Sequence, residues 1–170
     1  MKFTIAIVAS LAGLFSQTRA IENNGVYVIQ SPHSGDVWGV QNSIGVEHQV
    51  ELVHPTDGHA EHWRLVSSGT DYWVQNVWTQ GMLACPDANG HRCEVDTLGN
   101  NAQEFTIKDL SNGYVTIHPK GSDLVVGTAE GPELKALPRG SSVDAVFRLR
   151  LTEDKCEYPC PSEECLQNLY

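Results

Sequence analysis

Short apolar segments alternate with turn-rich polar segments along this chain, and the apolar segments return in one fixed order. The clearest mark is a large aromatic residue that recurs in two steps of 42 residues, at Trp63, Phe105 and Phe147. Each repeat contains four strand-like segments, and this aromatic residue lies in the last of them, at 60–65, 102–107 and 144–149. The first of the four segments begins with an aromatic residue each time, at Tyr27–Gln30, Trp73–Asn76 and Tyr114–Ile117.

Two further segments lie between the first and the last in every unit. The second segment is found around Trp38, Leu83 and Leu124. The third is found at Glu51–Val53, Glu94–Asp96 and Glu133–Lys135. Four marks in the same order, three times over, indicate an internal repeat of about 40 residues, and one such unit cannot bury its apolar face alone.

The repeats predict an all-β fold. Their segments are rich in β-branched and aromatic residues, and turn clusters such as Asn89-Gly90 and Asn112-Gly113 separate them. Three units are too few for a β-propeller, which has about four or more blades. We therefore predict a β-trefoil of three pseudo-repeats of about four strands each, in which two strands of each unit close a barrel and two form a capping hairpin. Trp63, Phe105 and Phe147 should then pack around the pseudo-threefold axis.

The two ends of the chain do not follow the repeat. Lys2 precedes an apolar run, Phe3–Phe15, and small residues around Ala20 offer a cleavage site, which is typical of a signal peptide. The run is shorter than the roughly 20 apolar residues that cross a bilayer. We expect a secreted, extracellular protein with a signal peptide at 1–20, the β-trefoil domain at 21–151 and a cysteine-containing tail at 152–170.

Five cysteines follow the predicted signal peptide, which suits an oxidising compartment. Cys85 and Cys93 flank a turn-rich segment, and a disulfide between them would contribute about 2–3 kcal/mol by closing a short loop. Cys156, Cys160 and Cys165 lie in the tail. One cysteine is left over, so either it stays a free thiol or it links two chains in a disulfide-bonded dimer. Zinc ligation by the tail is the alternative to disulfides there.

Charge and motifs exclude several classes of function. The formal net charge is −10, which argues against nucleic acid and membrane surfaces as partners because both attract a basic face. No nucleophile elbow, phosphate-binding glycine loop or His-Glu-x-x-His motif occurs. We therefore expect a protein that is not an enzyme, with no catalytic residues and no cofactor. His54, His59 and His62 lack a carboxylate or cysteine at a suitable spacing, so we expect no metal site.

Binding residues are expected on the loops of such a fold, because a rigid barrel positions them. The Cys85–Cys93 loop would hold Arg92 in a restricted conformation. The segment Leu137–Ser142 contains Pro138, Arg139 and Gly140 and predicts a stiff, extended loop with one exposed arginine. Such a loop can enter a protease cleft at a low cost in ordering. We regard Arg139, with Pro138 and Gly140, as the first candidate and Arg92 as the second.

The late aromatic of each unit resembles the Gln-x-Trp mark of ricin-B-type β-trefoil lectins. The corresponding triplets are Glu61-His62-Trp63, Gln103-Glu104-Phe105 and Ala145-Val146-Phe147. This resemblance implies a carbohydrate-binding function. The second strands of the units lack the aspartate that sugar-binding units of that family carry, so any sugar site would be a non-standard one.

A second resemblance is to the mushroom-type β-trefoil serine protease inhibitors. It rests on Gly25-Val26-Tyr27, Trp63-Arg64-Leu65, Val74-Gln75-Asn76-Val77, Ala102-Gln103-Glu104-Phe105 and Glu133-Leu134-Lys135-Ala136-Leu137. The loop that carries the basic residue in trypsin-inhibiting members corresponds to 41–49, which has no Lys or Arg. The resemblance therefore implies inhibition through another loop.

These observations give two expected functions. The first is inhibition of an extracellular serine-type endopeptidase through an exposed loop. The alternative is a ricin-B-like lectin with non-standard sites, in which an exposed Trp38 or Trp78 stacks on the face of a sugar.

Overall fold

The structure is a computed structural model, and it describes residues 20–41, 47–86, 90–110, 113–142 and 144–152. Nearly all of the predicted signal peptide and tail lies outside these residues. The tail cysteines Cys156, Cys160 and Cys165 are therefore not placed. The described chain is built of short strands, and its helical content is one 3-10 turn at His59–Glu61.

Twelve strands are present in the described residues, four for each predicted unit. In chain order they are β1 (Gly25–Gln30), β2 (Val37–Val40), β3 (Glu47–Val53), β4 (His62–Ser68), β5 (Asp71–Asn76), β6 (Met82–Ala84), β7 (Glu94–Asp96), β8 (Glu104–Asp109), β9 (Tyr114–Pro119), β10 (Val125–Gly127), β11 (Lys135–Leu137) and β12 (Phe147–Leu151). Every predicted segment coincides with a strand or directly adjoins one. Leu124 precedes β10, and Leu134 precedes β11.

The first and last strands of the three units form a closed barrel. Its strands follow the order β12-β9-β8-β5-β4-β1, and β12 pairs with β1 to complete the circle. Register is fixed by alternation along each strand. In β12, Phe147 points into the barrel while Arg148 and Arg150 are exposed, so a slip by one residue would bury a guanidinium group.

The second and third strands of each unit form hairpins, which are β2–β3, β6–β7 and β10–β11. The three hairpins meet through a ring of backbone hydrogen bonds. Val50 N–H donates to the Cys93 carbonyl at 3.1 Å, Cys93 N–H to the Leu134 carbonyl at 2.6 Å, and Leu134 N–H to the Val50 carbonyl at 3.1 Å. All three residues are fully buried. One equivalent residue per unit thus closes the ring, and the domain is a β-trefoil with pseudo-threefold symmetry.

The repeated aromatic residues lie in one core, as predicted. Trp63, Phe105 and Phe147 are each 0% exposed and belong to the same buried cluster. Such rings bury 150–250 Å² each and supply much of the apolar area of a small core. The prediction of a shared centre built from one ring per unit is confirmed.

The prediction that Trp38 is an exposed sugar-stacking residue is wrong. Trp38 is 0% exposed and lies between two of the repeated aromatics, with its ring centroid 6.1 Å from that of Trp63 and 5.0 Å from that of Phe147. Its carbonyl oxygen accepts a hydrogen bond of 2.9 Å from the indole N–H of Trp63. All four residues of β2 are buried, because the hairpin that contains β2 seals one end of the barrel.

Among the described residues, no helix has the length and apolar character needed to cross a membrane.

Candidate functional site

The connection between β11 and β12 starts with a tight turn that carries Arg139. Ser141 N–H donates to the Pro138 carbonyl at 3.2 Å, and Ser141 Oγ donates to the same oxygen at 2.6 Å. Gly140 has φ +84°, which fits the third position of a type II turn, where a side chain would be strained. Pro138, Arg139 and Gly140 are all exposed. The sequence predicted an extended loop here, and the structure instead shows a closed turn, because Gly140 permits the reversal.

Arg139 has no salt-bridge partner within the described part of the chain. It occupies the second position of the turn, where a side chain projects away from the hydrogen-bonded ends. The turn therefore holds a solvated cation on a backbone that is fixed before any partner arrives. This combination suits recognition by an acidic pocket.

Arg92 is held against the domain surface. Its guanidinium group forms an ion pair with Glu133 and donates a hydrogen bond of 3.0 Å to Gln49 Oε1. Its backbone forms a bridge with Lys135. Arg92 lies in the loop within the β6–β7 hairpin, whereas Arg139 follows the β10–β11 hairpin. A protease that engaged Arg92 would first have to separate it from Glu133.

Cys85 and Cys93 form a disulfide, as predicted, with their Cα atoms 4.2 Å apart. Both residues are fully buried. Cys93 also belongs to the ring of backbone hydrogen bonds that joins the three hairpins. The disulfide therefore ties the start of the 86–92 loop to the centre of the cap, and Arg92 emerges next to this fixed point.

A surface cleft of about 420 Å³ adjoins the disulfide. Its apolar lining is Ala84, Cys85, Pro86 and Ala102, and its polar lining is Glu94, Asn101 and Gln103. Gln103 Oε1 accepts a hydrogen bond of 3.1 Å from Cys85 N–H, which orients the amide group of Gln103. The residues that line the cleft all belong to the second unit, and the cleft was not predicted from the sequence.

The turn that follows β7 was also not predicted from the sequence. Leu98 lies in it and is 65% exposed. Three backbone N–H groups of the turn donate to the carboxylate of Asp96, from Leu98 at 2.8 Å, Gly99 at 3.1 Å and Asn101 at 2.7 Å. The Asn101 N–H in particular lowers the pKa of Asp96, although burial acts in the opposite direction. An ionised Asp96 thus fixes the turn. The sequence does contain a signal for this turn, because Leu98-Gly99 follows β7 as Arg139-Gly140 follows β11.

The three histidines that were considered as metal ligands are only partly brought together. The rings of His59 and His62 lie 5.6 Å apart, whereas His54 faces Asp36 at 4.0 Å. No group of three or more potential ligands that could hold a metal ion is found within the described ranges. Trp78, the other tryptophan proposed to stack on a sugar, is half-buried, with its ring 6.0 Å from that of His48.

Residues 60–135 match the family model described as ricin-type beta-trefoil lectin domain-like. The match starts before β4 and ends in β11, so it contains the whole second unit and its cleft. It agrees with the all-β architecture and supports a lectin-like trefoil segment in this part of the chain. A search of curated protein sequences finds no match to the chain.

Solved structures show the same fold. The designed threefold-symmetric protein ThreeFoil is 20% identical, with a TM-score of 0.65, and covers 74% of this chain and 97% of its own length. A ricin B-like lectin from Macrolepiota procera, solved with lactose, is 13% identical, with a TM-score of 0.68 and coverage of 78% and 99%. A proteinase inhibitor from Coprinopsis cinerea is 13% identical, with a TM-score of 0.61 and coverage of 78% and 100%. At these identities the similarity establishes the β-trefoil fold only. The function has to be inferred from the loops, because one fold carries many functions.

Proposed function

We propose that this chain is a secreted, non-enzymatic inhibitor of a trypsin-like serine endopeptidase, and that it acts through the turn between β11 and β12. The observation that carries the proposal is Arg139, an exposed cation at the tip of a turn whose ends are hydrogen bonded. Secretion is supported by the Cys85–Cys93 disulfide, since such bonds persist in oxidising compartments. The fold shared with a proteinase inhibitor is compatible with this activity.

The mechanism follows from the charge and rigidity of the turn. The guanidinium group of Arg139 enters the specificity pocket, where the carboxylate of a trypsin-like enzyme binds it. The turn loses little conformational entropy on binding, because Pro138 and the hydrogen bonds of Ser141 already fix it. The peptide bond between Arg139 and Gly140 lies in a reversed chain, whereas a cleavable substrate is extended. The inhibitor therefore blocks the cleft without being cut.

Replacing Arg139 by alanine is expected to raise the inhibition constant for trypsin at least about 100-fold, because it leaves the acidic pocket unpaired. Steady-state inhibition measurements check this. Arg150→Ala is the matched control, since Arg150 is an exposed arginine on β12 and should leave the constant unchanged. Arg139→Lys should retain part of the inhibition. An unchanged inhibition constant for Arg139→Ala would show that this turn is not the inhibitory site. The absence of inhibition by the unaltered protein would contradict the proposed function.

The cleft of the second unit favours one other function, the binding of a carbohydrate. Its polar lining of Glu94, Asn101 and Gln103 offers donors and acceptors for sugar hydroxyl groups. The match of residues 60–135 to the lectin-like family covers this cleft. Its described lining contains no aromatic side chain, so such a site would bind sugars through hydrogen bonds.

In the carbohydrate-binding case, Asn101→Ala is expected to weaken binding about tenfold, the loss of one or two hydrogen bonds. A glycan array followed by calorimetric titration of the best glycan measures it. Asn100→Ala is the matched control, because Asn100 is the exposed neighbour in the chain and does not line the cleft. Equal effects of the two substitutions would place the sugar elsewhere, and an array without signal would exclude this function.

A further inference from the structure

The turns after β7 and β11 are equivalent elements of the pseudo-threefold fold. β7 ends at Asp96 and β11 ends at Leu137. Two residues beyond each strand end lies an exposed side chain, Leu98 in one unit and Arg139 in the other. The next residue is a glycine with positive φ in both units, +73° at Gly99 and +84° at Gly140. A positive-φ glycine in the same place thus follows an exposed apolar side chain in the second unit and an exposed cation in the third.

The turn that carries Leu98 is held by hydrogen bonds to a side chain, that of Asp96. The Asp96 carboxylate accepts three backbone hydrogen bonds from the turn, and Asp96 is only 5% exposed. In the third unit, Pro138 and the hydrogen bonds of Ser141 hold the corresponding turn. A turn that is already ordered adds little entropic cost to binding.

Leu98 is more exposed than the other exposed large apolar side chains of the described chain. It is 65% exposed, compared with 44% for Leu110 and 36% for Val146. Leu98 lies between Thr97 and Gly99 in a hydrogen-bonded turn, so a concave apolar pocket can enclose its exposed side chain. Burial of a leucine side chain is favourable, and it can anchor an interface when the surrounding contacts exclude water.

We propose that the Leu98–Gly99 turn is a second protease-binding loop, directed at a serine protease with an apolar specificity pocket. This inference rests on the proposed function, since it assigns a second specificity to the same inhibitory device. A chymotrypsin-like enzyme has such an apolar slot where trypsin has an aspartate. The two turns lie in different units, so their side chains are presented in different directions around the pseudo-threefold axis. The chain is then an inhibitor with two specificities.

The first experiment measures inhibition of chymotrypsin and trypsin by the same variants. Leu98→Glu is expected to weaken inhibition of chymotrypsin at least about tenfold and to leave inhibition of trypsin unchanged. Arg139→Ala should do the reverse. Leu110→Glu is the matched control, because Leu110 is an exposed leucine beyond the opposite end of β8, and it should affect neither enzyme.

The second experiment transfers the cation to the equivalent turn. Leu98→Arg should create a second trypsin site, so that titration of trypsin changes from one to two enzyme molecules per inhibitor, and Leu98→Arg combined with Arg139→Ala should still inhibit trypsin. Inhibition of trypsin alone by the unaltered protein, with no gain from Leu98→Arg, would overturn the second loop while the proposed function stands. Inhibition of neither enzyme by the unaltered protein would overturn both.

Discussion

Replacing Phe147 by alanine is expected to lower the free energy of unfolding by about 3–5 kcal/mol, the cost of emptying a fully enclosed aromatic site. Phe147 is 0% exposed, and its ring lies edge-on to Trp38 at 5.0 Å between centroids. The substitution removes this contact and leaves a cavity beside the central rings. Since small domains are stable by only about 5–15 kcal/mol, a large share of the total would be lost.

Chemical denaturation followed by tryptophan fluorescence measures this change, because Trp38 and Trp63 report on the affected core. Val146→Ala is the matched control. Val146 adjoins Phe147 in the chain but is 36% exposed, so its truncation should cost about 0.5 kcal/mol or less. Comparable losses for the two variants would mean that Phe147 does not lie in the shared core.

The repeat made the architecture predictable, because each unit reuses the same solution for burying its apolar face. The late aromatic in the first unit is Trp63 and in the others a phenylalanine, yet all three lie in one cluster. The barrel strands were also predictable from alternation, as in β12, where Phe147 is buried and both neighbouring arginines of the strand are exposed. These features depend on local sequence and on symmetry.

The environment of Trp38 was not predictable in the same way. Its strand, Val37–Val40, is buried on both faces because it belongs to a hairpin that closes the barrel. A short apolar run does not reveal whether one or both of its faces are covered. The choice between an exposed sugar-stacking tryptophan and a core residue thus depended on the packing of distant strands.

The candidate loops show the same limit. Sequence alone predicted that Cys85 pairs with Cys93, since the two flank a short turn-rich segment. It gave no sign that Arg92 would be neutralised by Glu133, which lies in another unit and meets it only in the assembled cap. The exposed state of Arg139 follows from the absence of such a partner among the described residues, and contacts of that kind depend on tertiary structure.

The turn that carries Arg139 depends on close packing beneath it. Gly127, the last residue of β10, is buried against the chain that leads from the turn into β12. A Cβ atom at Gly127 would overlap Ser142 Oγ and the carbonyl oxygen of Asp144. That carbonyl already accepts a hydrogen bond of 2.9 Å from Thr128 N–H, and Ser142 Oγ donates to the Thr128 carbonyl at 3.0 Å. The Asp144 carbonyl oxygen and Ser142 Oγ cannot move away from such a Cβ atom without losing these hydrogen bonds.

Gly127→Ala is therefore expected to lower the free energy of unfolding by about 3 kcal/mol, towards the upper end for overpacking, and also to weaken inhibition of trypsin because the chain next to the turn is displaced. Thermal denaturation and the inhibition constant, measured on the same samples below the unfolding transition, test the two effects. Gly58→Ala is the matched control, since a Cβ there would meet Thr56 Oγ1 at an ordinary 3.4 Å. Loss of stability with an unchanged inhibition constant would show that the turn holds its conformation independently of this packing. Unchanged stability would contradict the close approach of β10 to the chain entering β12.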